Sequence, residues 1–346
     1  MKKWLLACLA AACIGSNVQA QQADETLKLW YDKPADQWVE ALPLGNGRIG
    51  AMVFGDPAHE QFQLNEETVW GGSPYNNTNP KAKDALPRIR QLIFEGKNAE
   101  AQALCGPTIC SQSANGMPYQ TVGTLHLDFD GISNYNDYYR DLDIEKAVTT
   151  TRFTANGVTY TREAYTSFPD QILVIRLTAS QKKSISFTAK YTTPYKENVV
   201  RCISPRKELQ LNGKANNHEG IEGKVEFTAL TRIENSGGNL EVLSDSTLQV
   251  KNANSVTLYV SIGTNFVNYK DVSGNAQATA QKYLANVNKN YTKSKAAHIN
   301  TYQKFFNRVS LDLGRNAQAN KPTLRNSAPA SIRKWLPCTS SSDATC

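Results

Sequence analysis

Between Leu125 and Thr264, apolar and polar residues alternate with a period of two, interrupted by short clusters of turn-forming residues. Val158, Tyr160, Arg162 and Ala164 alternate with Thr159, Thr161, Glu163 and Tyr165, and Ile185, Phe187, Ala189 and Tyr191 form a second such row. The run Ile172 to Leu177 is almost continuously apolar, which predicts a central strand. Val256, Leu258, Val260 and Ile262 predict one face of a late strand. Asn156-Gly157, Asn212-Gly213, Gly237-Gly238 and Asn252-Ala253-Asn254 fall between these runs and read as hairpin turns. Many strands joined by tight turns, with few helices between them, predict a mainly β fold built as a large antiparallel β-sandwich.

The flanks differ. Leu27 to Phe62 reads as short strands and turns, and Asn65 to Asn79 as an irregular loop. Lys81 to about Leu104 has helical periodicity, broken near Gly96, with Pro87 early enough to start or kink the helix. Leu86, Ile89, Ile93 and Phe94 fall on one helical face, expected to pack against a sheet. Gln277 to Lys289 and Tyr291 to Phe306 are also helical in composition, with Tyr283, Leu284 and Val287 on one side of the first.

The first residues read as a secretory signal. Lys2 and Lys3 precede an apolar stretch from Trp4 to Ile14, and Val18-Gln19-Ala20 resembles a cleavage site. A 1–20 signal peptide cleaved after Ala20 implies a secreted or periplasmic product; lipid attachment at Cys13 is the less favoured alternative. The stretch is shorter than the roughly 20 residues a membrane span requires. The net charge of +7 does not indicate nucleic acid. Lys2 and Lys3 carry two of those charges and the segment from Lys321 onward three more, so the body is close to neutral and its cations are scattered.

Of seven cysteines, Cys8 and Cys13 lie in the signal and Cys338 and Cys346 in the C-terminal segment. Cys105 and Cys110 could close a small disulfide loop in an oxidising compartment, or stand as two thiols. No metal site is expected, because His126, the nearest imidazole, sits in a strand pattern without a second ligand pair. No cofactor motif stands out.

The most informative stretch is Leu42-Pro43-Leu44-Gly45-Asn46-Gly47-Arg48-Ile49-Gly50, followed by Gln63-Leu64-Asn65-Glu66-Glu67-Thr68-Val69-Trp70-Gly71-Gly72. The first block reads as a tight turn feeding a buried strand; the second brings two carboxylates, an amide and an indole together. Together with Trp30-Tyr31-Asp32, Tyr119 to Phe129, Thr161 to Gln171 and Tyr302 to Val309, they resemble the N-terminal domain of glycoside hydrolase family 95, the α-L-fucosidase and α-L-galactosidase family. The resemblance implies a sandwich domain over residues 25–270, a helical linker over 275–315, and beyond it an (α/α)6 barrel as the intramolecular partner. It also implies inverting hydrolysis of fucosylated glycans in an intact parent, with the proton donor and the water-activating groups on the barrel. None of those catalytic positions occurs in this sequence, so no catalytic residue is carried over.

By position, Asn46, Arg48, Asn65, Glu66 and Trp70 are candidates for the domain interface or the rim of the sugar site. For Arg48 a structural salt bridge is the stronger reading, and Glu66 and Glu67 are expected as solvated or interface carboxylates. From about Leu324 the sequence loses periodicity. Codons written for Arg325 to Cys346 and regrouped by a shifted frame encode an amphipathic helix resembling the family's first barrel helix. The expectation is a frameshifted tail over 324–346. Two function classes follow: a catalytically empty fragment of an exported α-L-fucosidase, or a stand-alone carbohydrate-binding or scaffold sandwich.

Overall fold

The computed structural model describes residues 27–111, 116–311 and 321–323. The signal at 1–20, Cys13 and the 324–346 tail lie outside the described residues. In chain order the strands are β1 (Lys28–Tyr31), β2 (Leu42–Gly45), β3 (Ile49–Val53), β4 (His59–Glu66), β5 (Gly123–Asp128), β6 (Asn136–Asp143), β7 (Val148–Ala155) and β8 (Val158–Ser167). They continue with β9 (Ile172–Ala179), β10 (Ile185–Thr192), β11 (Asn198–Ile203), β12 (Glu208–Lys214), β13 (Glu226–Ser236), β14 (Asn239–Ser244), β15 (Thr247–Ala253) and β16 (Ser255–Thr264). The helices are α1 (Ala82–Phe94), α2 (Asn98–Thr108), α3 (Ala276–Ala285) and α4 (Tyr291–Phe306).

Two antiparallel sheets face each other. Nine strands form the first, in the order β1-β6-β7-β8-β9-β16-β13-β12-β11; seven form the second, in the order β14-β15-β10-β5-β4-β3-β2. The core is made where the period-two rows meet. Leu44, Ala51, Phe62, Leu64, Leu125 and Leu127 come from the seven-stranded sheet. Leu173, Ile175, Ala229, Leu258, Val260 and Ile262 come from the nine-stranded one. Thus β9 is central, as its apolar run predicts. Leu173 and Ile175 face the sandwich interior, while Ile172 and Val174 lie under the helices on the outer face.

Both C-terminal helices start at asparagine caps. The Asn275 side chain accepts from Ala278 N, and the Asn290 side chain from Lys293 N. They pack on the outer face of the nine-stranded sheet, α3 through Ala280 and Leu284 with Val287 just after it, and α4 through Tyr291 and Ile299. Gly263 makes this docking possible: a Cβ there would meet the backbone of Ala276 and Ala280 at 2.5 Å.

Two expectations are corrected. Asn212-Gly213 is not a turn but the end of β12, registered against Thr228 and Phe227; glycine is needed at 213 because a Cβ would enter the Phe227 ring. The apolar face of α1 does not pack on a sheet. Ile89 and Leu92 pack with Ala101 and Leu104 of α2, giving the helical hairpin a small core of its own. Phe94 is left 89% exposed.

Candidate functional site

The turn between β2 and β3, the end of β4 with the loop that follows, the turn between β8 and β9, and the end of β16 converge at one end of the sandwich. Asn46 organises the first turn. Its Oδ1 accepts from Arg48 N at 3.1 Å and Ile49 N at 2.9 Å, and its Nδ2 donates to Ser167 O at 2.9 Å. The side chain is buried, with both its oxygen and its nitrogen hydrogen-bonded. Gly47, at φ +84°, supplies the left-handed residue that the turn demands.

Arg48 then crosses between the sheets. It donates from Nε to Gln171 Oε1 at 3.0 Å, and from its two terminal nitrogens to Ile262 O at 2.7 Å and Gln171 O at 2.5 Å. Its guanidinium lies 4.2 Å from the centre of the Tyr283 ring on α3. Burial lowers the Arg48 pKa below the usual arginine value, an effect opposed by Tyr283 and Glu66. One side chain therefore ties together the β2–β3 turn, the β8–β9 turn, β16 and α3.

Glu66 faces inward at the end of the β4 row Glu60, Phe62, Leu64, Glu66. It accepts from Thr68 N at 2.8 Å and Thr68 Oγ1 at 2.6 Å, and stands 3.5 Å from Arg48. Burial raises its pKa above the ordinary carboxylate value, with Thr68 and Arg48 pulling the other way. Glu66 is thus not a solvated carboxylate, because the inward phase of β4 extends to its last residue. Its neighbour Glu67 points outward and is exposed.

The other end of the same row is closed alike. Glu60 lies 3.0 Å from Arg162 on β8, which also donates to Asp56 O at 2.6 Å and to Pro57 O. Arg162 sits 4.1 Å from the centre of the Phe129 ring. Burial pushes the Glu60 pKa up and the Arg162 pKa down, each resisted by its partner. The Arg162–Glu60 pair escaped sequence reasoning as a pair. Its one trace was a charged residue in register with the apolar row Val158, Tyr160 and Ala164.

Asn65 and Trp70 behave differently. Asn65 is half-buried on the outward phase of β4, registered against Gly50. Trp70 is 43% exposed and Tyr119 45% exposed; their rings meet edge to face at 5.2 Å. Both are tethered at their polar tips, Trp70 Nε1 donating to Glu67 O at 2.8 Å and Tyr119 OH to Glu66 O at 3.2 Å. Burial, with Glu66 and Glu67 nearby, pushes the Tyr119 phenol up to about 12, so it remains a donor at neutral pH. Sequence reasoning named Trp70 but missed Tyr119, whose approach depends on an isolated bridge between the two residues.

Cys105 is half-buried and Cys110 exposed, and both stand as free thiols. Among the described residues no group of three or more His, Cys, Asp or Glu could hold a metal, and no helix is long and apolar enough to cross a membrane. Asp128 is held by His59 at 3.0 Å and Lys190 at 2.9 Å on the open face of the seven-stranded sheet. Acid–base hydrolysis of a glycoside needs two carboxyl groups facing each other across room for a sugar. At this end Glu66 is spent on internal bonds, and its neighbour Glu67 faces solvent.

Residues 29–269 match the family model described as the glycosyl hydrolase family 65 N-terminal domain. Alpha-L-fucosidase 2 of Arabidopsis thaliana is 31% identical over 333 residues, covering 86% of this chain and 38% of that protein. Probable alpha-fucosidase A of Aspergillus niger is 28% identical over 319 residues, covering 85% of this chain and 39% of its own length. A solved structure described as a kojibiose phosphorylase from the human microbiome is 9% identical; the match covers 81% of this chain and 38% of that one, with a TM-score of 0.47. The chain spans about two-fifths of the length of the curated relatives it matches. From β1 to the loop after β16, over most of its length, this chain belongs to the glycosyl hydrolase family 65 N-terminal domain family.

Proposed function

We propose that the chain is the N-terminal sandwich of an exported glycoside hydrolase of family 95 that removes terminal α-L-fucosyl or related residues from glycans, and that by itself it has no hydrolytic activity. One observation carries the reading: relatives named as α-fucosidases align over 82–86% of this chain, yet the alignments span only 38–41% of their own length. The state of the carboxylates at the motif end supports it. Glu66 is locked by Thr68 and Arg48, so the motif run builds a frame rather than an acid–base pair.

In this reading the solvent-facing part of the run (Asn65, Glu67, Trp70 and its partner Tyr119) forms the surface that meets the barrel or the outer rim of the sugar site. Asn46, Arg48 and Glu66 hold that surface in place. The charged N-terminal stretch and its cleavage motif support export.

The test is an assay of the purified chain on an aryl α-L-fucoside at enzyme concentrations high enough to detect about one turnover per hour. No release above the uncatalysed blank is expected. Release of fucose by the chain alone would overturn the proposal. A second arm sequences the gene downstream of codon 324, where an open alternative frame of several hundred codons is expected.

A further inference from the structure

A second polar concavity uses none of the motif residues. It is a groove of about 610 Å³ across the adjoining ends of β11, β12 and β13, walled on one side by the first turn of α3. The volume lies in the range that accommodates small ligands. Its cross-section is a single row across the sheet: Val199 pairs with Asn212, Asn212 with Thr228, and Thr228 with Gly263. Because Gly263 lacks a side chain, α3 rests directly on β16 and rises beside Thr228 as the wall.

The floor is set up for hydrogen bonding. Asn212 Oδ1 accepts from Gln210 Nε2 at 2.7 Å and from Thr228 Oγ1 at 2.9 Å. Both bonds fall on the same oxygen, so the amide is held in one orientation, and its Nδ2 meets no acceptor among the described residues. Thr228 has given its proton to Asn212, so its Oγ1 keeps acceptor capacity. Asn198 is likewise fixed, its Nδ2 donating to Tyr195 O at 2.5 Å, which leaves its Oδ1 available. Gln277, exposed on α3, adds an amide with both donors and an acceptor. Behind Asn212, the fully buried Gln210 has an Oε1 with no partner.

The charges select the class of ligand. Lys196 and Lys214 are matched by Glu197 and Glu226, and Lys214 already lies 3.3 Å from Glu222 and 3.9 Å from Glu197. A balanced rim does not favour a phosphate or a carboxylate, and no exposed ring lines the groove for a base to stack on. Fixed amide donors and hydroxyl or amide acceptors, spaced along one row beside the apolar Val199, fit a neutral polyhydroxylated ring. We propose that this groove binds a neutral oligosaccharide, as a carbohydrate subsite separate from the Trp70 end. It goes beyond the proposed function and requires no catalytic partner.

The experiment titrates the full chain with 2′-fucosyllactose, maltotetraose and cellotetraose, and with trigalacturonate as the anionic control, by calorimetry and ligand-observed NMR. At least one neutral oligosaccharide should bind saturably with a Kd of about 1 mM or tighter. Asn212→Leu should weaken it about tenfold, the scale of one or two hydrogen bonds. Gln277→Trp, at an exposed helical position where folding is not at stake, should block the groove and abolish binding. Lys182→Ala, exposed in the turn between β9 and β10, should leave it unchanged.

No neutral oligosaccharide binding at about 10 mM would overturn the inference, as would tighter binding of trigalacturonate. Binding that survives Gln277→Trp but disappears in Trp70→Ala would also overturn it, while leaving the proposed rim surface standing.

Discussion

Replacing Arg48 by methionine should destabilise the sandwich by about 3–5 kcal/mol, the usual range for removing one partner of a buried ion pair. The structure supplies the parts of that figure. Two backbone carbonyls, Ile262 O and Gln171 O, lose donors at 2.7 and 2.5 Å, and the Gln171 side chain loses one at 3.0 Å. The Arg48 side chain is 14% exposed, so water reaches part of the gap and each lost partner is set near the low end of about 1–3 kcal/mol. The Glu66 carboxylate keeps its two bonds from Thr68 but loses its nearest positive charge. Urea unfolding followed by circular dichroism at pH 7 measures the loss, and the melting temperature should fall by roughly 6–15 °C. Adding Glu66→Gln to Arg48→Met should recover about 1–2 kcal/mol, because it removes the stranded charge. An Arg48→Met variant within about 1 kcal/mol of wild type would refute the reasoning.

Four further outcomes follow from the same packing. Arg162→Met should cost about 3–5 kcal/mol in the same urea assay, since its completely buried Glu60 partner would lose its counter-ion. Gly213→Ala should cost about 1–3 kcal/mol, because the added methyl enters the Phe227 ring, and thermal melting reads it directly. Trp70→Ala, at a 43% exposed position, should change stability by less than about 1 kcal/mol, which separates it from Arg48. Burial lowers the pKa of His298 below its usual 6.5, and its Nδ1 has no partner. The unfolded chain therefore takes up the proton first: stability is full above about pH 6.5 and falls as the pH drops, by at most about 1.4 kcal/mol per unit. Comparing urea midpoints at pH 7.5 and 5 for wild type and His298→Phe isolates that slope, and equal slopes would exclude His298 as the source.

Much of the fold was legible because it rests on a period of two. The rows through β8, β9, β10 and β16 were readable residue by residue, since each strand has at least one dry face and an apolar residue at every second position records it. Asn212-Gly213 misled because the dipeptide suits a turn equally well. The cause of the glycine is a ring on the neighbouring strand, Phe227, which no local pattern encodes. The α1 face misled for a related reason: periodicity shows that a helix has an apolar side but not what covers it, and here α2 does. At the motif end the residues were found but not all their states. The burial of Glu66 follows from the phase of β4, which was available in the sequence. The bonds of Arg48 to Gln171 and Ile262 join residues more than 120 positions apart and were not.

The two ends of the inward row on β4 explain what the most distinctive run in the sequence is for. An apolar row between two sheets must stop somewhere, and at each end the chain closes it with a glutamate facing an arginine from another segment: Glu60 with Arg162, and Glu66 with Arg48. Such pairs add little net stability compared with apolar packing, because desolvation consumes most of the attraction; what they add here is a link between the sheets, Arg162 reaching Glu60 and Arg48 reaching Gln171 and Ile262. Arg48 reaches α3 as well, so the link it makes includes the helix that starts the C-terminal region. The residues that look most catalytic are then the ones with the least freedom to act on a substrate. In the proposed function, what the run leaves for recognition is its outward phase, Asn65, Glu67 and Trp70, with the frame behind it. A search for the surface that meets a second domain or a sugar starts from those three side chains and Tyr119, not from the buried glutamate.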